Sequence, residues 1–191
     1  MTINNTEKIH GAAILRLLEA LGESIPEKYF SLEVGESHSA YLLTGLDKRT
    51  LEARQVGFFI KVSGKRRTPW RYSFHSRHQD ELKVFKDRCG EAFVIFANGD
   101  DGFTCLDFDQ LKEILDEEHE DQEWVSVSRQ PRQAYRVSGN DGNLNTPVPR
   151  NAFPDLMVGY FERDLEDERP VEKRKIFSFR NLAKSFSRKS A

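Results

Sequence analysis

The segment 57–74 combines an apolar strand pattern with a cluster of basic residues and two large aromatic residues. Positions 61–77 contain six lysines or arginines and no acidic residue. Basic side chains neutralise phosphates, and aromatic rings can stack on unpaired bases. We therefore expect a nucleic-acid-binding surface made by Lys61, Lys65, Arg66, Arg67, Trp70, Arg71, Tyr72, Arg77 and His78. The alternative for this run is a solvated, positively charged hairpin without a ligand.

Lys61 stands near the end of a strand predicted over 57–62. A strand at this position can hold the ammonium group rigidly against a phosphate or an attacking water. The next helix is predicted to be capped by Ser76, because Ser76 and Gln79 have the spacing of a capping box. Free backbone N–H groups at a helix start favour a bound anion, which adds to the case for the basic segment.

Two other clusters resemble metal sites only superficially. His75, His78 and Asp80 are close in sequence, but no cysteine or third histidine lies near them. The aspartates between 100 and 109 lack the spacing of an EF-hand loop, and turn or capping roles explain them. The sequence therefore predicts no metal site and no cofactor.

The elements that must position these residues alternate between helices and strands. Their predicted order is a helix, three strands, a short fourth strand, a helix, a strand hairpin, a helix and a last strand. That order predicts an α/β fold with a mixed central sheet flanked by helices. With 191 residues, the chain is long enough to bury a core. We expect one domain over 1–161, a charged linker over 162–175 and a basic amphipathic tail over 176–191.

The order of the predicted elements resembles that of the PD-(D/E)XK, or restriction-endonuclease-like, fold. It consists of a helix, a strand meander with a lysine near the end of its third strand, a second helix and a further strand. The resemblance covers about residues 6–115 and rests on this order and on Phe59-Ile60-Lys61. In active members, an Asp on the second strand and a Glu, Asp or Gln two residues before the lysine hold a metal that activates water. Here Phe59 occupies that second position, and the second strand, 39–44, has no carboxylate. The resemblance therefore implies a degenerate member that does not cleave.

Three functions follow from these observations. The leading one is nucleic-acid binding, to DNA or RNA, by a nuclease-like core that has lost metal-dependent cleavage. The second is a protein-interaction or adaptor module that docks through the C-terminal amphipathic segment. The third is an active Mg²⁺-dependent nuclease, in which Lys61 acts with a migrated acid, Asp80 or Glu81, and Glu33 or Glu36 supplies a second ligand. Only this third function would require Mg²⁺.

Charge is segregated along the chain although the net charge is only −2. Residues 100–123 contain eleven acids and a single base, Lys112, whereas residues 173–189 contain seven bases and no acid. Phe179, Leu182 and Phe186 have helical spacing within the basic tail. Such a segment can bind a protein partner, an acidic membrane surface or nucleic acid, and the alternative is a disordered soluble tail.

The sequence predicts neither a signal peptide nor a segment that spans a membrane. Its first residues lack the basic and apolar regions of a signal peptide. The longest apolar run, 92–97, is far too short to span a bilayer. We therefore expect a cytoplasmic protein whose two cysteines are reduced.

Overall fold

The computed structural model describes residues 2–35, 37–116 and 122–163. Two β-sheets and four α-helices make up this part of the chain. In chain order the elements are α1 (Asn5–Ser24), β1 (Lys28–Val34), β2 (Ala40–Asp47), β3 (Ala53–Val62), β4 (Trp70–His75), α2 (Ser76–Cys89), β5 (Ala92–Ala97), β6 (Phe103–Asp107), α3 (Phe108–Lys112), β7 (Gln122–Ser128), β8 (Arg136–Gly139) and α4 (Ala152–Glu162).

The main sheet has five strands in the order β1-β2-β3-β5-β6. β1, β2 and β3 form an antiparallel meander, β5 runs parallel to β3, and β6 returns antiparallel to β5. Every residue of β5 is buried, as its continuous apolar run indicates for a strand covered on both faces. The predicted mixed α/β sheet with flanking helices is confirmed.

A second sheet contains β4, β7 and β8, all antiparallel. Burial alternates strictly along β4, so that one face of this sheet packs on the core and the other faces solvent. The inner face includes Tyr72, whose ring lies 4.8 Å from that of Phe96 on β5. The sequence predicted β4 and β7 but not β8, nor their separation from the main sheet.

Helix α2 packs directly on β3, at the point where that strand has a glycine. A Cβ atom at Gly57 would lie 2.0 Å from Cγ of Phe85. The predicted capping box is wrong by one residue, because the N-cap is His75 in extended conformation and Ser76 already begins the helix. The predicted stop is confirmed, since Gly90 adopts the left-handed conformation (φ 88°) that favours glycine.

The C-terminal helix of the described part, α4, closes the fold. The hydroxyl of Tyr160 donates to the carbonyl of Cys89 at 2.7 Å and lies 3.0 Å from the carbonyl oxygen of Gln55, so α4 contacts both α2 and β3. None of the described helices is both long and apolar enough to cross a membrane. The tail predicted over 176–191, and the linker beyond residue 163, lie outside the described residues.

The helix predicted over 109–118 is shorter than expected. It begins at Phe108, directly after Asp107, whose carboxylate accepts from the backbone of Gln110 at 2.8 Å as the predicted N-cap. The α-helix ends at Lys112. Ile114 and Leu115, just beyond it, are fully buried.

Candidate nucleic-acid interface

Lys61 lies inside the protein, near the end of β3. Only 9% of the residue is exposed. Its Nζ donates to the carbonyl of Ser73 at 3.1 Å and to Nδ1 of His78 at 2.8 Å, and it lies 4.4 Å from the centroid of the Phe74 ring. The described structure therefore directs the ammonium group into a junction between β3, β4 and α2, away from solvent.

Burial changes the acid–base chemistry of this pair. The pKa of Lys61 is lowered to about 7, mainly by loss of hydration and also by the charge of Arg77, whereas the charge of Glu81 opposes the shift. Burial, followed by the charges of Lys61, Arg77 and His75, lowers the pKa of His78 to about 4. His78 is therefore neutral at neutral pH, and its Nδ1 accepts a hydrogen bond from Lys61 while Nε2 carries the ring proton.

The two aromatic residues predicted to stack on bases face the core. Trp70 and Tyr72 are each 3% exposed. The Tyr72 hydroxyl donates to the carbonyl of Ala97 at 2.9 Å and lies 2.6 Å from Oδ1 of Asn98, and burial raises the pKa of this phenol. The stacking role predicted for these two rings therefore does not fit this fold.

The loop between β3 and β4 presents the expected cations to solvent. Lys65, Arg66 and Arg67 are exposed and, with Asp100, line an open cavity of 640 Å³. Nη2 of Arg66 lies 3.2 Å from a carboxylate oxygen of Asp100, but the two side chains are 87% and 78% exposed. Solvent weakens such a pair, so the loop keeps a positive surface. We call residues 65–67 the basic loop.

The solvent-facing side of the second sheet, which we call the outer face, continues from the basic loop. Trp124 lies on this face and is 40% exposed. The guanidinium carbon of Arg71 lies 5.6 Å from the centroid of the Trp124 ring, within the range of a cation–π contact. The nine outward positions contain no carboxylate: Arg71, Ser73, His75, Gln122, Trp124, Ser126, Ser128, Arg136 and Ser138.

Trp124 is the residue that the sequence reasoning missed as a binding candidate. The signal was present in the alternation of 122–128, where Trp124 falls in phase with Ser126 and Ser128 and out of phase with Val125 and Val127. A tryptophan in the polar phase of a half-buried strand is expected on the solvent side. The remaining predicted binding residues lie at the start of α2, where Arg77 is exposed and His78 is half-buried beside Lys61.

The carboxylates considered for a migrated metal site are dispersed. Asp80 is exposed on α2, Glu81 is half-buried there and acts on Lys61 through its charge. Glu33 lies on β1 opposite Leu42 of β2, and residue 36 lies outside the described residues.

Among the described residues, one group of acids does come together. Asp116, Glu123 and Asp141 have ligand atoms within 4.8 Å of one another, a donor set that suits a hard cation such as Mg²⁺ or Ca²⁺. Glu123 is buried and accepts from the side-chain amide of Gln79, and Asp141 accepts from the backbone of Asp116 at 3.0 Å. These hydrogen bonds within the fold account for the arrangement. Lys61 is not part of this group, so these acids do not rebuild the metal site of an active nuclease around that lysine.

Comparison of the chain with known protein families, with curated proteins and with solved structures finds no match.

Proposed function

We propose that this protein binds nucleic acid through the outer face of its second sheet and the adjoining basic loop. The observation that carries the proposal is the exposed Trp124 under the guanidinium of Arg71, on a sheet face without carboxylates. Aromatic faces flanked by cations are the general means of holding unpaired bases and their phosphates together.

The cations of this surface can neutralise several phosphates at once. Exposed basic side chains come from the basic loop, from β4 and from β8: Lys65, Arg66, Arg67, Arg71 and Arg136. If all five contact phosphates, the logarithm of the binding constant should fall with the logarithm of the salt concentration with a slope of about −3.5 for a single strand. The net charge of −2 makes a local surface necessary, since whole-protein attraction to a polyanion is absent.

We further propose that the core is nuclease-like and has lost metal-dependent cleavage. The order α1, antiparallel meander, α2 and a strand parallel to β3 supports the resemblance to the PD-(D/E)XK fold, with β4 inserted before α2. Loss of cleavage is supported by Phe59 at the position of a metal-binding residue and by the buried contact of Lys61 with His78.

The test is fluorescence anisotropy with labelled DNA and RNA, single- and double-stranded, at two salt concentrations and with Mg²⁺ present. We expect salt-sensitive binding without cleavage. Trp124→Ala should weaken binding by about 5-fold to about 150-fold, because stacking of one base is worth about 1–3 kcal/mol. Charge reversal of the basic loop (Lys65→Glu, Arg66→Glu and Arg67→Glu together) should weaken binding and flatten the salt dependence.

The matched control is a second exposed cation–aromatic pair, with Tyr29 on β1 and Lys48 directly after β2. Nζ of Lys48 lies 4.7 Å from the centroid of the Tyr29 ring, so Tyr29→Ala and Lys48→Glu remove the same chemistry elsewhere. These variants should bind like the wild type. The proposal would be contradicted if variants of the Arg71–Trp124 pair and of the Lys48–Tyr29 pair lost affinity equally. It would also be contradicted if the wild type did not bind at low salt. Mg²⁺-dependent cleavage that is lost in Lys61→Ala would instead favour an active nuclease.

A further inference from the structure

A small cavity lies at the end of β7, where the outer face meets the following turn. Its volume is 270 Å³, and its walls include Thr68, Ser128, Gln130, Gln133 and Arg136. Sites for drug-sized ligands have volumes of about 300–1,000 Å³. This cavity lies just below that range and therefore suits a smaller group, such as one nucleobase.

The side chain and backbone of Arg129 hold the walls of the cavity in place. Its guanidinium makes a two-point contact with the carboxylate of Asp101, with Nε 2.6 Å from Oδ2 and Nη2 on Oδ1. Nη1 also donates to the carbonyls of Gln130 and Gln133, each at 3.4 Å. The backbone N–H of Arg129 donates to the hydroxyl of Thr68 at 3.1 Å. Arg129 thus ties the turn to the core and fixes the cavity before any ligand arrives.

The groups that face a ligand are left without protein partners. Within the described part of the chain, the side-chain amides of Gln130 and Gln133 form no hydrogen bonds and are exposed. Each amide offers two donors and one acceptor in a plane. This is the pattern that recognises the edge of a base, as amide side chains do with adenine.

The cavity and Trp124 lie along one line of the outer face. Ser128, in the cavity wall, is four residues beyond Trp124 on β7, or about 13 Å at the usual rise of a strand. Ser126 lies between them, paired with Arg71 on β4, and Ser128 is paired with Arg136 on β8. A single strand of nucleic acid that stacks one base on Trp124 therefore passes the cation of Arg71 before it reaches the cavity.

From this arrangement we infer that the cavity receives one unpaired nucleobase and that the partner is single-stranded nucleic acid bound with a preference among bases. The inference rests on the proposed function and narrows its partner. A duplex does not fit this site, because its bases are paired and stacked inside the helix, whereas a single strand can turn its bases outward.

The experiment compares binding of labelled single-stranded homopolymers with binding of a duplex of mixed sequence. The variants are Gln130→Ala, Gln133→Ala and the double variant, all at exposed positions, with thermal unfolding measured alongside. We expect the wild type to prefer one homopolymer by about tenfold, the scale of one good pair of base contacts. The double variant should lose this preference while it retains the salt dependence. Asn145→Ala, which removes an exposed amide outside the cavity, should keep the preference.

The outcomes separate this inference from the proposed function. Equal binding of all homopolymers, equal binding of duplex and single strand, or an unchanged preference in the double variant would overturn the base site while the nucleic-acid surface stands. Absence of binding to every oligonucleotide would overturn both.

Discussion

The ammonium group of Lys61 is buried, and burial disfavours its charged form. At the residue scale this is the largest departure from the sequence prediction, which placed the lysine against a phosphate. The strand geometry explains it, because Phe59 and Lys61 lie on the same face of β3 as Gly57, and that face is covered by α2. The ring of Phe59 contacts both His78 and Phe85 of that helix. A lysine in phase with these residues has to direct its amine beneath the start of the helix.

The lowered pKa of Lys61 predicts how stability depends on pH. In the unfolded chain the amine titrates near pH 10.4, whereas in the folded protein its pKa is about 7. Between these values the unfolded state binds more protons at this amine, so the contribution of Lys61 to stability rises with pH from about 7 to about 10 and is lost as pH falls through that window. In this window we expect the free energy of unfolding to rise less steeply with pH in Lys61→Met than in the wild type. The difference in slope should be up to about 1.4 kcal/mol per pH unit.

This prediction is measured by urea unfolding at several pH values. The control is Lys8→Met on the exposed side of α1, which should keep the wild-type slope. An identical slope in wild type and Lys61→Met would show that the amine is hydrated in the folded protein.

At the scale of elements, the fold depends on a close approach between α2 and β3. The glycine at position 57 lets the Phe85 ring lie against the backbone of the strand, and this contact sets the height of the helix above the sheet. The start of the same helix supplies His78 to Lys61, and its buried Gln79 reaches Glu123 on β7. Helix α2 therefore joins the two sheets.

Gly57→Ala should destabilise the protein by about 3 kcal/mol, because a methyl group at 2.0 Å from the Phe85 ring forces the helix or the ring to move. The comparison is Gly22→Ala on the exposed side of α1, where a Cβ meets nothing within 4 Å. That substitution should be neutral or stabilise by up to about 1 kcal/mol through helix propensity. Chemical denaturation measures both, and similar stabilities of the two variants would contradict the packing described here.

At the scale of the whole molecule, positive charge is concentrated at two places in a chain that is slightly acidic overall. The basic loop and outer face provide one, and residues 173–189, outside the described structure, contain seven further bases. The adaptor hypothesis assigns function to this tail, whereas the proposed function assigns it to the second sheet. Removing the chain after residue 170 separates the two.

The shortened protein should keep the base preference and the effect of Trp124→Ala, because both depend on residues of the described sheets. Anisotropy on the same oligonucleotides measures this. If affinity falls for all oligonucleotides and the preference among bases is unchanged, the tail contributes to binding only through its charge. Complete loss of function in the shortened protein, with harmless variants in the basic loop, would support the adaptor hypothesis instead.

The local pattern of the sequence determined most of the elements and their order, because helix and strand periods, caps and stops depend on neighbouring residues. The stop at Gly90, the capping role of Asp107 and the buried run of β5 were all predicted in this way. Only the tertiary structure decided which face of each strand is covered. Alternation divides a strand into two sets of residues, but the packing of other elements chooses which set is buried. That choice buried Trp70 and Tyr72, left Trp124 exposed and turned Lys61 inward, so the candidate site moved from β3 to the outer face of a sheet that the sequence did not predict as separate.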